Sequence, residues 1–177
     1  METATLGGGC YWCLDAFYRR IEGVEKVVSG YSGGHVDNPT MARVYEGDTG
    51  HAEVVQVTFD PSIISYREIL EIFFAMHDPT TLNRQGNDVG DEYRSVIFYH
   101  SGGQKVVAED MIRNFAPTLY KDPVVTQLEP LTMFWPADEA NQDYFAKNPG
   151  AGYCMVVIDP KIRKLRQKFA ARLKQPG

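Results

Sequence analysis

The sequence TATLGGGCYWC, residues 3–13, predicts a short strand, a glycine turn and a helix that begins near Cys10. The unpaired N–H groups and the positive dipole end of a helix stabilise a thiolate and lower the pKa of a cysteine placed there. Cys10 is therefore a candidate nucleophile, and Cys13 follows about one helical turn later. A CxxC motif at a strand-to-helix turn is a redox signal, so we favour a reactive thiol pair over two buried structural cysteines.

Hydrophobic periodicity and turn residues divide the rest of the chain into short strands and helices. A capping box of Ser65 and Glu68 marks the start of one helix. Asp159 as N-cap, with Pro160 at the first helical position, marks the start of the last helix. Strands are predicted at 3–6, 24–31, 51–59, 93–99 and 124–129, helices at 11–20, 66–76, 103–115, 138–146 and 161–173, and long polar loops at 35–50 and 78–92.

This order of elements has no regular βαβ alternation and predicts the α+β class. We expect a single domain over residues 1–177, with a mixed β-sheet core, flanking helices and long functional loops. The formal net charge is −5, with no basic patch before the last helix, which argues against nucleic acid as a partner. No apolar run is long enough to span a membrane. The N-terminal residues do not resemble a signal peptide, so we expect a cytoplasmic protein, and a monomer.

Two acids and a tyrosine lie at the edges of predicted strands. Glu53 begins an apolar strand, where alternation puts its side chain on the same face as Val55 and Val57. A carboxyl group buried on that face stays protonated and can donate a proton near neutral pH, whereas one at a solvent-facing edge stays ionised. The pattern alone leaves both interpretations open. For Asp88 and Tyr93 the pattern alone predicts a turn residue and a packing residue.

Several motifs occur in order along the chain, from Leu6 through Cys154. They are GGGCYWC at 7–13, GYSGG at 30–34, TGHAEVV at 49–55, FDP at 59–61, HDPTTLNRQGNDVG at 77–90 and EYRS at 92–95. Together they resemble the peptide-methionine sulfoxide reductase A family. The resemblance implies an enzyme that reduces the S epimer of methionine sulfoxide, free or in proteins, and so repairs oxidative damage. We expect thioredoxin as the reductant, and no cofactor or metal.

The resemblance also implies roles for the residues that match its motifs. A sulfoxide sulfur is electrophilic only when its oxygen is protonated or hydrogen-bonded, so the site needs a thiolate and hydrogen-bond donors. Cys10 attacks the sulfur and becomes a sulfenic acid, which a second thiol condenses to a disulfide. Protonated Glu53 and the hydroxyl of Tyr93 donate to the sulfoxide oxygen, and Asp88 orients the polar network and bound water.

Two aromatic positions depart from the family pattern. Tyr11 and Trp12 match the apolar wall that takes the substrate methyl group, although Tyr11 stands where phenylalanine is usual. Its extra hydroxyl is harmless if it reaches water or a partner. Met41 stands where the family usually carries a second tyrosine that binds the sulfoxide oxygen. Either that tyrosine is dispensable, or Tyr45 supplies the hydroxyl.

The sequence leaves two candidates for the thiol that resolves the sulfenic acid. Cys154 matches the family's C-terminal resolving position, and the glycine-rich stretch 148–153 predicts a loop that swings toward Cys10. Cys13 matches a subgroup of the family, and the CxxC spacing allows it to attack directly or to join a relay. Because a resolving thiol needs access to the first sulfur, we favour Cys154. Replacing Cys154 by serine is then expected to abolish thioredoxin-driven turnover and to leave a single turnover intact.

Three other classes of protein match parts of the pattern. A thioredoxin-like disulfide oxidoreductase would use Cys10 and Cys13, but the motif lacks the expected βαβ context. A metal-binding module would need a second set of paired ligands beside the single CxxC. A non-enzymatic interaction domain has only the basic last helix in its favour. Four histidines are available to a metal site, and none is placed in the catalytic set: His35, His51, His77 and His100.

Overall fold

The computed structural model of the chain describes residues 1–175. Its strands are β1 (Glu2–Gly7), β2 (Val24–Ser32), β3 (Ala52–Phe59), β4 (Arg84–Gln85), β5 (Asp88–Val89), β6 (Val96–Tyr99), β7 (Gln127–Pro130) and β8 (Phe134–Pro136). Its α-helices are α1 (Tyr11–Tyr18), α2 (Met41–Tyr45), α3 (Tyr66–Met76), α4 (Gly102–Asp110), α5 (Ala116–Leu119), α6 (Tyr144–Lys147) and α7 (Asp159–Lys168). Two π-helical segments, Met111–Phe115 and Cys154–Ile158, precede α5 and α7.

Six strands form one sheet in the order β7-β6-β1-β3-β2-β8. The β6–β7 pair is parallel and the other four pairs are antiparallel. This mixed sheet with flanking helices confirms the α+β prediction. Strands β4 and β5 pair with each other in a separate small hairpin. The expected domain over residues 1–177 includes two residues, 176 and 177, that lie outside the described part.

Strand β3 lies at the centre of the sheet and is buried along most of its length. Val55 and Val57 face the larger apolar core. Alternation places Glu53 on the same face, so a carboxyl group starts an otherwise apolar row. Leu6 of β1 is paired with Val55, and Tyr31 of β2 is paired with Glu53. The end of β1, the end of β2 and Glu53 therefore meet at one edge of the core.

Helix α3 supports the glycine turn that follows β1. It begins with the predicted capping box: the hydroxyl of Ser65 accepts from the Glu68 N–H at 3.1 Å, and the Glu68 carboxylate accepts from the Ser65 N–H at 3.2 Å. Such a cap is worth about 1 kcal/mol. A Cβ at Gly8 would lie 2.8 Å from the His77 ring and 3.2 Å from the Phe73 ring. The turn therefore packs directly on α3, and a side chain at this position would push the two apart.

The two predicted polar loops contain short elements that the sequence pattern did not indicate. Residues 35–50 include α2, where the Thr40 hydroxyl accepts from the Arg43 N–H. Residues 78–92 include the β4–β5 hairpin, and a 3-10 turn at Asp91–Tyr93 delays the predicted strand, which begins at Val96. Strand β8 was not predicted, because three residues are too few to show alternation.

The C-terminal part of the chain also differs from the prediction. The predicted helix 138–146 is divided into a 3-10 turn and α6. Asp159 is not an N-cap, because helical structure already begins before Cys154 and runs through the π-helical segment into α7. Pro160 therefore lies within a continuous helical stretch. A wider π turn immediately precedes it, and a proline cannot donate the N–H that a regular helix requires there.

Candidate active site

Cys10 is the N-cap residue of α1, in extended backbone conformation, as the strand-turn-helix prediction requires. Gly9 before it has φ +92°, and a Cβ there would lie 2.7 Å from the side chain of Gln85 in β4. The Gly9 N–H also donates to the Tyr93 carbonyl at 3.2 Å. The turn thus fixes Cys10 between α1, the β4–β5 hairpin and the segment that carries Tyr93.

The thiol of Cys10 is buried, and the prediction of a lowered pKa is wrong. Burial raises the pKa of Cys10 well above its usual value, and the neighbouring Glu53 and Cys13 raise it further. The N–H of Trp12 in the first turn of α1 acts in the predicted direction but is outweighed. A buried thiolate has lost most of its hydration, and a few N–H dipoles do not replace it. Burial therefore favours the thiol form of Cys10 over the thiolate.

Glu53 is buried with 6% of its surface exposed, which decides between the two interpretations left open by the sequence. Its Oε1 accepts from the Tyr11 N–H at 3.1 Å. Burial raises the pKa of Glu53 to about 8, and the nearby carboxyl groups of Glu92 and Asp88 add to the effect. At neutral pH the second oxygen therefore carries a proton. A protonated acid beside a thiol is the pair that sulfoxide reduction requires.

Tyr93 and Asp88 lie in the same neighbourhood. Burial raises the pKa of Tyr93, and the nearby Glu53 and Cys10 raise it further. The hydroxyl therefore keeps its proton at neutral pH and can donate a hydrogen bond. Asp88, in β5, accepts a 2.8 Å hydrogen bond from the hydroxyl of Tyr153. Sequence reasoning missed Tyr153, whose partner is 65 residues away along the chain. The only available signal was its position directly before Cys154.

Trp12 is held in place by three contacts. Its ring stacks on Tyr144 with centroids 3.7 Å apart, and it meets Tyr153 edge-on at 5.6 Å. Its Nε1–H donates to Asn141 Oδ1 at 3.1 Å. Trp12 remains partly exposed, so these contacts hold a rigid apolar surface two residues from Cys10. The sequence supports no functional conclusion for Asn141, and the segment 142–144 resembles a polar part of the family near the substrate groove.

The structure shows where the two departures from the family pattern, at Tyr11 and at Met41, lie. Tyr11 is fully buried, and its hydroxyl reaches the Tyr31 hydroxyl at 2.6 Å, which confirms that it finds a partner. Tyr45 is 73% exposed on α2, which disfavours the interpretation that it replaces the tyrosine expected at Met41. Tyr31, whose hydroxyl contacts that of Tyr11, is the register partner of Glu53.

All three cysteines are free and buried. The Sγ of Cys13 lies 3.7 Å from the hydroxyl of Tyr153. Cys154 has no exposed surface and belongs to the π-helical segment. The prediction of a mobile loop that carries Cys154 is therefore wrong, since the glycine-rich stretch ends in a helix that packs against α1. Cys13 contributes to raising the pKa of both Cys10 and Cys154, although burial is the larger cause for each.

His51 and His77 are engaged in the framework by side-chain hydrogen bonds. The ring nitrogens of His51 contact the Gly34 N–H and the Val36 carbonyl, and those of His77 contact the Phe73 carbonyl and Ser95. Within residues 1–175, no three His, Cys, Asp or Glu side chains are grouped so that they could hold a metal ion. Among the described helices, none combines the length and apolarity needed to cross a membrane.

A groove with a cavity volume of about 670 Å³ opens onto this arrangement. Cys10 lies at its floor, the β4–β5 hairpin with Asp88 forms one wall, and the helical stretch with Tyr153 and Lys161 forms the other. A thiol nucleophile, a buried acid and a second thiol one turn away define a thiol-dependent oxidoreductase.

Comparison with known proteins identifies the family. Residues 2–173 match the family described as peptide methionine sulfoxide reductase, and the chain belongs to that family. A relative from Leptospira borgpetersenii serovar Hardjo-bovis, named peptide methionine sulfoxide reductase MsrA, is 58% identical over 177 residues, or 100% of this chain and 99% of the relative. These matches confirm the family resemblance drawn from the sequence motifs.

Solved structures agree with this result. The reduced form of Mxr1 from Saccharomyces cerevisiae superposes with a TM-score of 0.79 at 35% identity, covering 86% of this chain and 88% of that chain. The structure of Mxr1 in complex with Trx2 gives a TM-score of 0.56 at 27% identity, covering 81% and 84%.

Proposed function

We propose that this chain reduces the S epimer of methionine sulfoxide, free and in proteins, to methionine. The observation that carries the proposal is the burial of Glu53, protonated near neutral pH, beside the thiol of Cys10 at the floor of an open groove. An acid and a nucleophile on one sulfoxide are what this reaction needs. Membership of the peptide methionine sulfoxide reductase family supports the choice of substrate.

The chemistry balances with the residues present. Glu53 donates its proton to the sulfoxide oxygen, with Tyr93 as a second donor, and the sulfur of Cys10 attacks the activated sulfur. The oxygen passes to Cys10 as the S–O bond of the substrate breaks, giving methionine and a sulfenic acid. The proton of the Cys10 thiol returns to Glu53. Asp88, held by Tyr153, orients the polar network, while Trp12 forms the apolar wall for the methyl group and Tyr11, fully buried and bonded to Tyr31, supports it from the core.

We propose that Cys13 resolves the sulfenic acid and that Cys154 acts in a second step. Cys13 lies on the same helix as Cys10, about one turn away, whereas Cys154 is fully buried in the π-helical segment. Attack by Cys13 forms a Cys10–Cys13 disulfide and releases water. Attack by Cys154 on the sulfur of Cys13 then transfers the disulfide and frees the Cys10 thiol. This order reverses the preference for Cys154 drawn from the sequence, because that preference rested on a mobile loop.

Two serine variants test the order of the thiols. We expect Cys13→Ser to produce one methionine per enzyme and then stop, with thioredoxin-driven turnover reduced at least about tenfold. We expect Cys154→Ser to form the Cys10–Cys13 disulfide in a single turnover without added reductant. The measurement is disulfide mapping by mass spectrometry after one equivalent of substrate. If Cys154→Ser fails to form any disulfide and Cys13→Ser forms one, Cys154 attacks first and the helix that holds it must open.

We further propose thioredoxin as the reductant, a monomer as the working form and the cytoplasm as the compartment. The complex of yeast Mxr1 with Trx2 supports the first proposal. The proposed nucleophile, acid and thiols all come from one chain, which supports the second. Three thiols that stay free suit a reducing compartment.

The test of the function is NADPH consumption coupled through thioredoxin and its reductase, with each epimer of methionine sulfoxide. We expect consumption with the S epimer alone. Reduction of the R epimer at a similar rate would contradict the proposed stereochemistry. Reduction of insulin disulfides without action on either epimer would instead assign the thiol pair to a disulfide oxidoreductase.

A further inference from the structure

The groove above Cys10 is larger than the side chain that the proposed reaction transforms. Its cavity volume of about 670 Å³ lies in the range that holds drug-sized ligands. The side chain of methionine sulfoxide is short and unbranched, so it fills only the part of the groove nearest Cys10. In a protein substrate, the residues that flank the sulfoxide must occupy the rest. The side chains that line the groove away from Cys10 therefore contact those flanking residues.

Two charged side chains line the groove, and they differ in whether they have a hydrogen-bond partner. Asp88 on the hairpin wall already accepts the hydrogen bond from Tyr153 and lies next to the reacting groups. Lys161 on the opposite wall, in the first turn of α7, forms no hydrogen bond or ion pair with any group in residues 1–175. The rest of that wall is largely apolar, with Val156 and Pro160 among its members.

We infer that Lys161 selects for an acidic residue close to the methionine sulfoxide in the substrate chain. A lysine that lines a groove with largely apolar walls, and that has no partner among the described residues, attracts a carboxylate that enters the groove. Asp88 repels a carboxylate on the other wall, so the preference applies to one side of the sulfoxide only. This inference rests on the proposed function and names the class of protein segment that the site takes.

The test is a set of short peptides with one methionine sulfoxide of S configuration and a single glutamate placed one or two residues before or after it. Glutamine replaces glutamate in the reference peptides. We expect the wild-type enzyme to favour glutamate at one side by about three- to fivefold in kcat/KM, and the preference to shrink at high salt. In Lys161→Met the ratio is expected to fall to about one, and in Lys161→Glu a lysine at that side should become the favoured residue.

Lys164→Met is the matched control. Lys164 lies on the same helix and does not line the groove, so this variant should keep the wild-type preference. Lys161 also acts to lower the pKa of Cys13, so its replacement changes the rate with every peptide by the same factor. The quantity compared is therefore the glutamate-to-glutamine ratio of kcat/KM within each variant. Equal kcat/KM for glutamate and glutamine peptides in the wild type, or a preference that survives in Lys161→Met, would overturn the inference.

Binding separates this inference from the proposed function. Cys10→Ser cannot turn over, so its affinity for the same sulfoxide peptides can be measured by titration calorimetry. A preference for glutamate peptides in Cys10→Ser that disappears in Cys10→Ser/Lys161→Met supports the role of Lys161 whatever the turnover assays show. If neither peptides nor free methionine sulfoxide are reduced by the wild type, the proposed function fails, while the binding ratio still decides the role of Lys161.

Discussion

Replacing Cys10 by serine is expected to lower the rate of methionine sulfoxide reduction by at least about 10⁴-fold, to the background of the assay. The hydroxyl of serine is a far weaker nucleophile toward sulfur, and it cannot accept the oxygen as a sulfenic acid. The groove, the acid at Glu53 and the wall at Trp12 are left in place, so the variant should still bind substrate. The measurement is methionine produced per enzyme in the absence of any reductant, where the wild type makes at least one equivalent.

Cys13→Ser is the matched control, because it removes a buried thiol from the same helix and leaves the proposed nucleophile intact. It should give one equivalent of methionine in the same assay. In a variant with both Cys13 and Cys154 replaced by serine, the sulfenic acid has no partner and should persist on Cys10, where a dione reagent specific for sulfenic acids traps it. Activity retained by Cys10→Ser and lost by Cys13→Ser would assign the nucleophile to Cys13.

Local sequence signals were sufficient for the central elements of the fold. The capping box at Ser65 fixes the start of α3 through bonds within four residues, and the valines of β3 alternate with enough length to define the strand. Both features depend on neighbours in sequence. The helical structure that holds Cys154 depends instead on packing against α1, more than a hundred residues earlier. Its glycine-rich approach favours a loop by composition, and tertiary contacts override that preference.

The same distinction applies to the site. The position of Cys10 at a helix start could be read from the glycine turn, whereas its raised pKa could not. The local rule concerns only the helix N-terminus, while the dominant cause is burial beneath segments from several parts of the chain. Tyr153 and Asn141 contact the CxxC segment over more than 120 residues of sequence. Such partners can be identified only when the packing of these helical segments against α1 is known.

Replacing Glu53 by glutamine is expected to separate stability from activity. The pKa of Glu53 is about 8 in the folded protein against a usual value of 4.5. As pH rises between these values, the unfolded chain releases the proton and the folded protein keeps it, so folding stability falls with rising pH across this window. Glutamine keeps an oxygen to accept from the Tyr11 N–H and has no proton to lose. In reducing buffer at pH 8, Glu53→Gln should therefore exceed the wild type by about 2–4 kcal/mol in free energy of unfolding, and the gain should vanish near pH 4.5.

The same variant is expected to lose about 10²- to 10³-fold in the rate of single-turnover reduction, because glutamine cannot transfer a proton to the sulfoxide oxygen. The contribution of Glu53 to the wild-type rate should decline as pH rises through about 8, where the acid form disappears, and Glu53→Gln should lack that decline. The measurement is a rapid-quench pH series with the S epimer. Glu46→Gln, which changes an exposed glutamate at the end of α2, is the control and should match the wild type. A wild-type rate in Glu53→Gln would contradict the proposed role and show that Tyr93 alone activates the sulfoxide. A variant that is more stable but slower would show that the buried acid is retained at the expense of folding stability.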